Sequence, residues 1–135
     1  MAYMRWSDGL SVGVSEIDEQ HKNLVTQINA LHDAMRLGQG KEALEKILGE
    51  LAAYTQYHFG TEEQYMQKFG YPAYTIHKAE HDAFIAKIAD FQVSYAAGQL
   101  GLSIEVMKFL RDWIAAHIQG SDARYTLCFR EHGLS

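Results

Sequence analysis

The chain has 135 residues, of which 47% are hydrophobic and 21% charged, and its 12 basic and 17 acidic residues give a net charge of −5. This length predicts a single domain over residues 1–135, and the composition excludes a disordered or fibrous chain. Because the sequence has no cluster of basic residues, we do not expect nucleic acid as a partner. Because it has no apolar run as long as a signal peptide or a membrane span, we expect a cytoplasmic protein that does not insert into membranes.

Glycines and the single proline divide the chain into four blocks, each long enough for a helix. Within each block apolar residues recur at steps of three and four, the spacing of one helix face. The predicted helices span residues 18–37, 41–69, 74–97 and 103–119, with Ser103 as the N-cap of the last. Because the connections are short, neighbouring helices should be antiparallel, which predicts an all-α, up-down-up-down four-helix bundle.

The two ends of the chain lack this helical spacing. Residues 1–16 are expected to form an irregular arm that Trp6 docks onto the bundle, and residues 121–135 allow a short closing helix. Cys128 is the single cysteine, so it has no partner for an internal disulfide or a CxxC site. We expect no chemistry from it.

Five of the seven histidines fall on the predicted buried helix faces, together with one glutamate. They stand near the starts of the first and third helices and near the ends of the second and fourth: His21, His58, Glu62, His77, His81 and His117. In an antiparallel up-down-up-down bundle these four places lie at the same end. The topology therefore predicts that six ligand-type side chains meet in one layer.

Such a layer indicates a transition-metal site, because burying a carboxylate among imidazoles is unfavourable unless a cation offsets the lost hydration. Asp122 follows His117 by five residues, a step that misses the same face of an α-helix. Gly120 and Ser121 could unwind the helix end and turn Asp122 inward. Seven ligands exceed one tetrahedral zinc site and suit two metal ions bridged by two carboxylates.

The candidate ligands lie in the segments DEQHKNLV, HFGTEEQYM, HKAEHDAF and WIAAHIQGSD. In residue type, order and spacing these segments resemble the hemerythrins, in particular the single-domain bacterial hemerythrins. The resemblance covers nearly the whole chain, and it implies two iron ions with an oxo or hydroxo bridge. By that resemblance His77, His81 and His117 would hold one iron. His21 and His58 would hold the other, and Glu62 and Asp122 would bridge the two.

The resemblance also implies reversible dioxygen binding at an open position of the second iron, in a protein that is not an enzyme. Four apolar residues near His21 and His117 in sequence are expected to line the oxygen pocket: Leu24, Trp113, Ile114 and Ile118. An apolar wall would exclude water, which competes for iron and promotes autoxidation.

Other ionisable residues are expected to lie outside the site. Glu63 is about 100° round the helix from Glu62 and should face outward. His32 is three turns from His21 with no ligand-type partner at its level, so a structural role is expected. His132 is expected in a solvated tail.

Other functions of a helical metal site fit the sequence less well. A ferritin-like oxidase would show two Glu-x-x-His pairs and a zinc hydrolase an HExxH motif, and neither occurs. A haem protein with paired axial histidines would leave Glu62 unexplained. As the resemblance implies, we expect dioxygen as the ligand and oxygen transport, storage or delivery as the role, in a monomeric protein. The alternatives within the same fold are oxygen or nitric oxide sensing, and iron storage or detoxification.

Overall fold

The computed structural model describes residues 3–38, 41–98 and 104–135. Over these ranges the chain forms helices and no strand: α1 (Ser15–Arg36), α2 (Lys41–Lys68), α3 (Tyr74–Ala96), α4 (Ile104–His117) and α5 (Ala123–Glu131). The first four helices form an antiparallel up-down-up-down bundle, which confirms the predicted fold class, and α5 is the short closing helix. No helix of the described ranges combines the length and apolar character needed to cross a membrane.

The bundle is held together by apolar helix faces. Helix α1 packs against α2 and α4, and α2 packs against α3. Aromatic rings join α3 to α4, since Phe84 stacks on Trp113 with ring centroids 4.1 Å apart. Residues such as Ile17, Leu31 and Leu110 are fully buried, and each such side chain contributes about 1.5–3 kcal/mol through loss of apolar contact with water.

The reversal between α2 and α3 depends on Gly70, whose φ of 65° lies in the left-handed region that other residues rarely adopt. The Tyr71 amide donates to the Met66 carbonyl at 2.9 Å, and the Gly70 amide donates to the Gln67 carbonyl at 3.3 Å. These two bonds form a Schellman motif. The tight reversal brings the first turns of α3 beside the last turns of α2.

The N-terminal arm packs along the bundle through four buried apolar side chains, Met4, Leu10, Val12 and Val14. The Met4 amide donates to Asn29 Oδ1, and Asn29 Nδ2 donates to the Met4 carbonyl, both at 2.7 Å. Trp6 is only half-buried, with Lys22 Nζ 5.4 Å from its ring centroid. Trp6 thus contributes to docking, but the buried apolar residues and Asn29 carry most of it.

Helix α1 begins at Ser15, earlier than the predicted residue 18. Its first turn is fixed by Asp18, whose Oδ1 accepts a hydrogen bond of 2.8 Å from the Val12 amide. This side-chain contact is not visible in the apolar spacing that set the predicted start. The predicted N-cap Ser103 of α4 lies outside the described residues.

Candidate metal centre

The structure brings the seven predicted ligand residues into one buried layer at one end of the bundle, with exposures between 0% and 7%. They form two groups in which the possible ligand atoms lie within 4.8 Å of one another. The first group contains Glu62, His77, His81, His117 and Asp122. The second contains His21, His58, Glu62 and Asp122, so the two carboxylates belong to both groups.

In the first group three imidazole nitrogens face one another. His117 Nε2 lies 3.0 Å from His81 Nε2 and 3.1 Å from His77 Nε2. Asp122 Oδ1 is 2.9 Å from His77 Nε2 and 3.1 Å from His117 Nε2. Ligands about 2.1 Å from an octahedral ion lie about 3.0 Å from their neighbours. The spacing therefore fits one six-coordinate metal ion.

In the second group the contacts pass through the two carboxylates. His21 Nε2 is 3.1 Å from Asp122 Oδ2, and His58 Nε2 is 3.3 Å from Glu62 Oε1. Asp122 thus turns one oxygen toward the three-histidine group and the other toward His21. Glu62 Oε1 also lies 3.3 Å from His81 Nε2, so Glu62 stands between the two groups as well.

Several buried atoms of this layer have no hydrogen-bond partner among the described residues: both ring nitrogens of His21, Glu62 Oε1 and both carboxylate oxygens of Asp122. The contact of 3.1 Å between His21 Nε2 and Asp122 Oδ2 is close but lacks hydrogen-bond alignment. Buried polar atoms without partners are unfavourable, and cations in the layer would satisfy His21 Nε2 and the carboxylate oxygens. The donor set of imidazole nitrogens and carboxylate oxygens suits a first-row transition metal such as iron.

The electrostatics of the layer favour a cation. Burial opposes ionisation of Glu62 and Asp122, but the surrounding histidines outweigh it and hold the pKa of both carboxyls below their usual ranges. Burial likewise opposes a charge on His21, yet the close carboxylates of Asp122 and Glu62 raise its pKa to about 9. Burial lowers the pKa of His58 to about 4. Glu62 and Asp122 are therefore ionised, and their negative charge favours a cation in the layer, either a protonated His21 or a metal ion.

The outer nitrogens of three histidines contact side chains around the layer. His58 Nδ1 donates to Gln20 Oε1 at 2.7 Å, and His81 Nδ1 donates to Glu63 Oε2 at 2.9 Å. His117 Nδ1 lies 3.1 Å from Glu80 Oε2. With the proton on Nδ1, the Nε2 lone pair is directed into the layer, which is how metal-binding histidines are commonly oriented.

The prediction that Glu63 faces outward is wrong. Its side chain is only 18% exposed, and it accepts hydrogen bonds from His81 and, at 3.3 Å, from Lys78 Nζ. The helix phase of α2 does direct Glu63 away from the bundle axis, but α3 lies across that direction and covers it. Sequence spacing within one helix could not reveal this neighbour.

Tyr125 is a second site residue that the sequence analysis missed. Its hydroxyl is fully buried and donates a hydrogen bond to Glu62 Oε2. Burial and the nearby Asp122 raise the Tyr125 pKa well above its ordinary value, so the hydroxyl remains a donor at neutral pH. The available signal is that Tyr125 follows Asp122 by three residues on the closing helix, which places the two side chains within one turn.

Asp122 reaches the layer through a π-helical turn, Ile118–Asp122, between α4 and α5. The Ala123 amide donates to the Ile118 carbonyl. This bond joins residues five apart rather than four as in an α-helix, so the turn is wider. In such a turn residues five apart share a face, so His117 and Asp122 both point inward. The chain widens here rather than breaking, which replaces the unwound end predicted from Gly120 and Ser121.

The four predicted pocket residues differ in burial. Leu24, Ile114 and Ile118 are buried to 2% exposure or less, whereas Trp113 is half-buried. Trp113 stacks on the His117 ring with centroids 4.4 Å apart. Phe59, which the sequence analysis did not single out, stacks on His81 at 3.8 Å. Rings from α2 and α4 thus fix two imidazoles, while the lining of an oxygen pocket stays a prediction.

The remaining histidines lie outside both groups. His32 stacks on Tyr3 with centroids 4.3 Å apart, in keeping with a structural role. His132 is exposed, yet it stacks on Phe69 and its Nδ1 donates to the Cys128 carbonyl at 2.8 Å. The tail residue is therefore held against the bundle rather than fully solvated.

Comparison with known proteins gives concordant matches. The profile of the hemerythrin HHE cation binding domain matches residues 12–126. Proteins named bacteriohemerythrin are similar over nearly the whole chain. One from Pseudomonas aeruginosa strain PAO1 is 39% identical, and the match covers 100% of this chain and 86% of that protein. One from Methylococcus capsulatus strain Bath is 38% identical, and the match covers 95% of this chain and 98% of that protein. A crystal structure of a wild-type hemerythrin superposes with a TM-score of 0.90 at 36% identity, covering 95% of this chain and 98% of that one.

Proposed function

This chain belongs to the hemerythrin family, and from that premise we propose that it binds dioxygen reversibly at a centre of two iron ions. His77, His81 and His117 would hold one iron, and His21 and His58 would hold the other. Glu62 and Asp122 would bridge the two. The role that follows is oxygen transport, storage or delivery, without catalysis.

The observation that carries the proposal is the sharing of Glu62 and Asp122 between the two ligand groups. A single metal ion would not need two carboxylates that each contact histidines of both groups. The unequal number of histidines supports the oxygen-binding assignment, because the group with two histidines leaves room for an external ligand. When bound, a pair of iron ions supplies two electrons that can be shared reversibly with dioxygen.

The protein residues would act by orientation. Gln20, Glu63 and Glu80 contact the outer nitrogens of His58, His81 and His117, and each contact directs an Nε2 lone pair inward. Tyr125 donates to Glu62 Oε2 and so fixes the orientation of this carboxylate between the two groups. Ligands that are already oriented lose little conformational freedom when a metal ion binds.

The apolar residues would act by excluding water. Leu24, Ile114 and Ile118 are buried near the ligand-bearing turns of α1 and α4, and Trp113 covers one face of His117. In this proposal they form the dry wall of the oxygen pocket, which slows displacement of the ligand by water. A cytoplasmic location and a monomeric state stay predictions.

Iron quantitation combined with visible spectroscopy tests the proposal. We expect two iron ions per chain, strong visible bands in the oxidised form, and full return of the reduced spectrum when oxygen is removed. A colourless protein holding one zinc ion would contradict the di-iron centre. Oxygen consumption in each cycle, without return of the reduced form, would contradict reversible binding and favour an enzyme.

A further inference from the structure

The seven proposed ligands are not equally shielded from solvent. Five of them are exposed by 1% or less, whereas His77 is 3% exposed and His117 is 7% exposed. Both of these belong to the three-histidine group. On this side of the layer the least protein therefore separates the ligands from a metal ion in solvent.

Two surface depressions reach these two histidines. One is bounded by Glu80, Trp113, Ala116, His117 and Ser121 and has a volume of about 310 Å³. The other is much smaller, about 20 Å³, and includes His77 and Arg124 in its wall. Glu80 and Ser121 line both depressions and separate them.

The larger depression suits a hydrated cation and the smaller one does not. The larger depression, about 310 Å³ against about 20 Å³, offers far more room for an ion that still carries water. The Glu80 carboxylate lines both depressions, but the Arg124 side chain in the wall of the smaller one repels a cation, whereas no lysine or arginine lines the larger one. Size and charge select the same route.

Glu80 is placed to attract an ion beside the His117 ring. Its side chain is 37% exposed, and Oε2 lies 3.1 Å from His117 Nδ1. The Ser121 hydroxyl donates to this same oxygen, and that hydrogen bond ties α3 to the π-helical turn that carries Asp122. Breaking it would free the carboxylate and loosen the segment over the layer.

We propose that this larger depression is the entrance for metal ions and that Glu80 captures the incoming cation before His117 binds it. The hydrogen bond from Ser121 to Glu80 keeps the entrance closed until it breaks. The inference rests on the proposed metal centre. It assigns to Glu80 a role in the rate of metal uptake, separate from its contact with the His117 ring.

The test is the rate at which ferrous iron enters the full-length chain under anaerobic conditions. The metal-depleted protein is held well below its melting temperature, with its helical content checked by circular dichroism. In a Trp6→Phe background Trp113 is the single tryptophan. Because it stacks on His117, its fluorescence reports metal uptake. Iron per chain is measured separately after equilibration.

We expect Glu80→Gln to slow uptake at least about fivefold, because the charge that concentrates cations at the mouth is lost. Glu63→Gln is the matched control, since Glu63 contacts His81 as Glu80 contacts His117 but lines neither depression. Glu63→Gln should slow uptake less than Glu80→Gln does, and Asp90→Asn, which removes an exposed charge on the same helix as Glu80 but outside both depressions, should stay within about twofold of the parent rate. Ser121→Ala should speed uptake by roughly fivefold, the weight of one typical hydrogen bond.

Equal slowing by Glu80→Gln and Glu63→Gln would overturn the entrance, because it would trace the effect to imidazole orientation. An unchanged rate in Glu80→Gln, or slower uptake in Ser121→Ala with normal helical content, would also overturn it. These results differ from failure of the metal centre itself. In that case the parent chain would hold no iron after equilibration, whatever the rates.

Discussion

At one end of the bundle the four helices meet through apolar side chains, and at the other they meet through imidazoles and carboxylates. The apolar end includes Leu31, Leu48, Ile88 and Met107, all exposed by 2% or less, while the polar end includes Glu62 and Asp122 at 0%. Both ends are equally buried. The apolar end is stabilised by burial alone, whereas the polar end needs a cation to offset the lost hydration of its charges.

The largest effect should come from removing a shared carboxylate. Glu62→Ala deletes the group that contacts His21, His58, His81 and Tyr125, so it should abolish most metal binding and destabilise the fold by about 3–5 kcal/mol. Glu50→Ala, an exposed glutamate on the same helix, is the control. Metal analysis and denaturant unfolding provide the measurements, and equal losses in the two variants would contradict the assignment of Glu62 to the centre.

Metal removal should expose the difference between the two ends without any mutation. A ligand present at about a thousand times its dissociation constant stabilises a fold by about 4 kcal/mol, so chelation should lower the melting temperature by about 10–20 °C. Thermal melts monitored by circular dichroism before and after verified iron removal measure the shift. A superimposable pair of melting curves would argue against a buried metal site.

Two leucine truncations separate packing from oxygen chemistry. Leu24→Ala and Leu48→Ala each remove a side chain exposed by only 1%, so each should cost about 2–5 kcal/mol of stability. Iron content should remain near that of the parent chain in both, because neither residue supplies a ligand. Only Leu24→Ala should speed autoxidation, followed as loss of the oxygenated spectrum well below the melting temperature. A similar increase in Leu48→Ala would remove Leu24 from the proposed pocket.

The smallest effect should come from the tyrosine hydroxyl beside Glu62. Tyr125→Phe removes one donor while keeping the ring, so it should cost about 1 kcal/mol of stability and weaken metal retention by about tenfold. Tyr95→Phe, near the apolar end of α3, should leave metal retention unchanged. Competition with a chelator measures retention. If both variants retain iron equally well, the Tyr125 hydroxyl does not position Glu62.

The bundle and the composition of the polar layer could be predicted from local information. Steps of three and four residues define helix faces, and short connections leave antiparallel packing as the simple solution. With those two rules the chain positions of His21, His58, His77 and His117 already place them at one end. The structure has the same arrangement. Helical spacing depends only on residues close in sequence, and antiparallel packing depends only on the reversal of the chain between helices.

The contacts around that layer could not be predicted, because they join helices at positions with no fixed sequence spacing. Glu63 lies 18 residues from His81, and Tyr125 lies 63 residues from Glu62. The expected outward direction of Glu63 considered α2 by itself and omitted α3. The same limit applies to Gln20 and Glu80, whose positions directly before His21 and His81 in sequence do not indicate which imidazole each contacts.

The sequence by itself therefore determined the helix faces, the bundle topology and the end at which imidazoles and carboxylates gather, since helical periodicity and chain direction are local properties. Only the tertiary structure decided that a π-helical turn carries Asp122 inward, that Tyr125 holds Glu62, and that Glu80 and Ser121 meet above His117. These features depend on how side chains from different helices meet, and neighbouring helices set that geometry jointly.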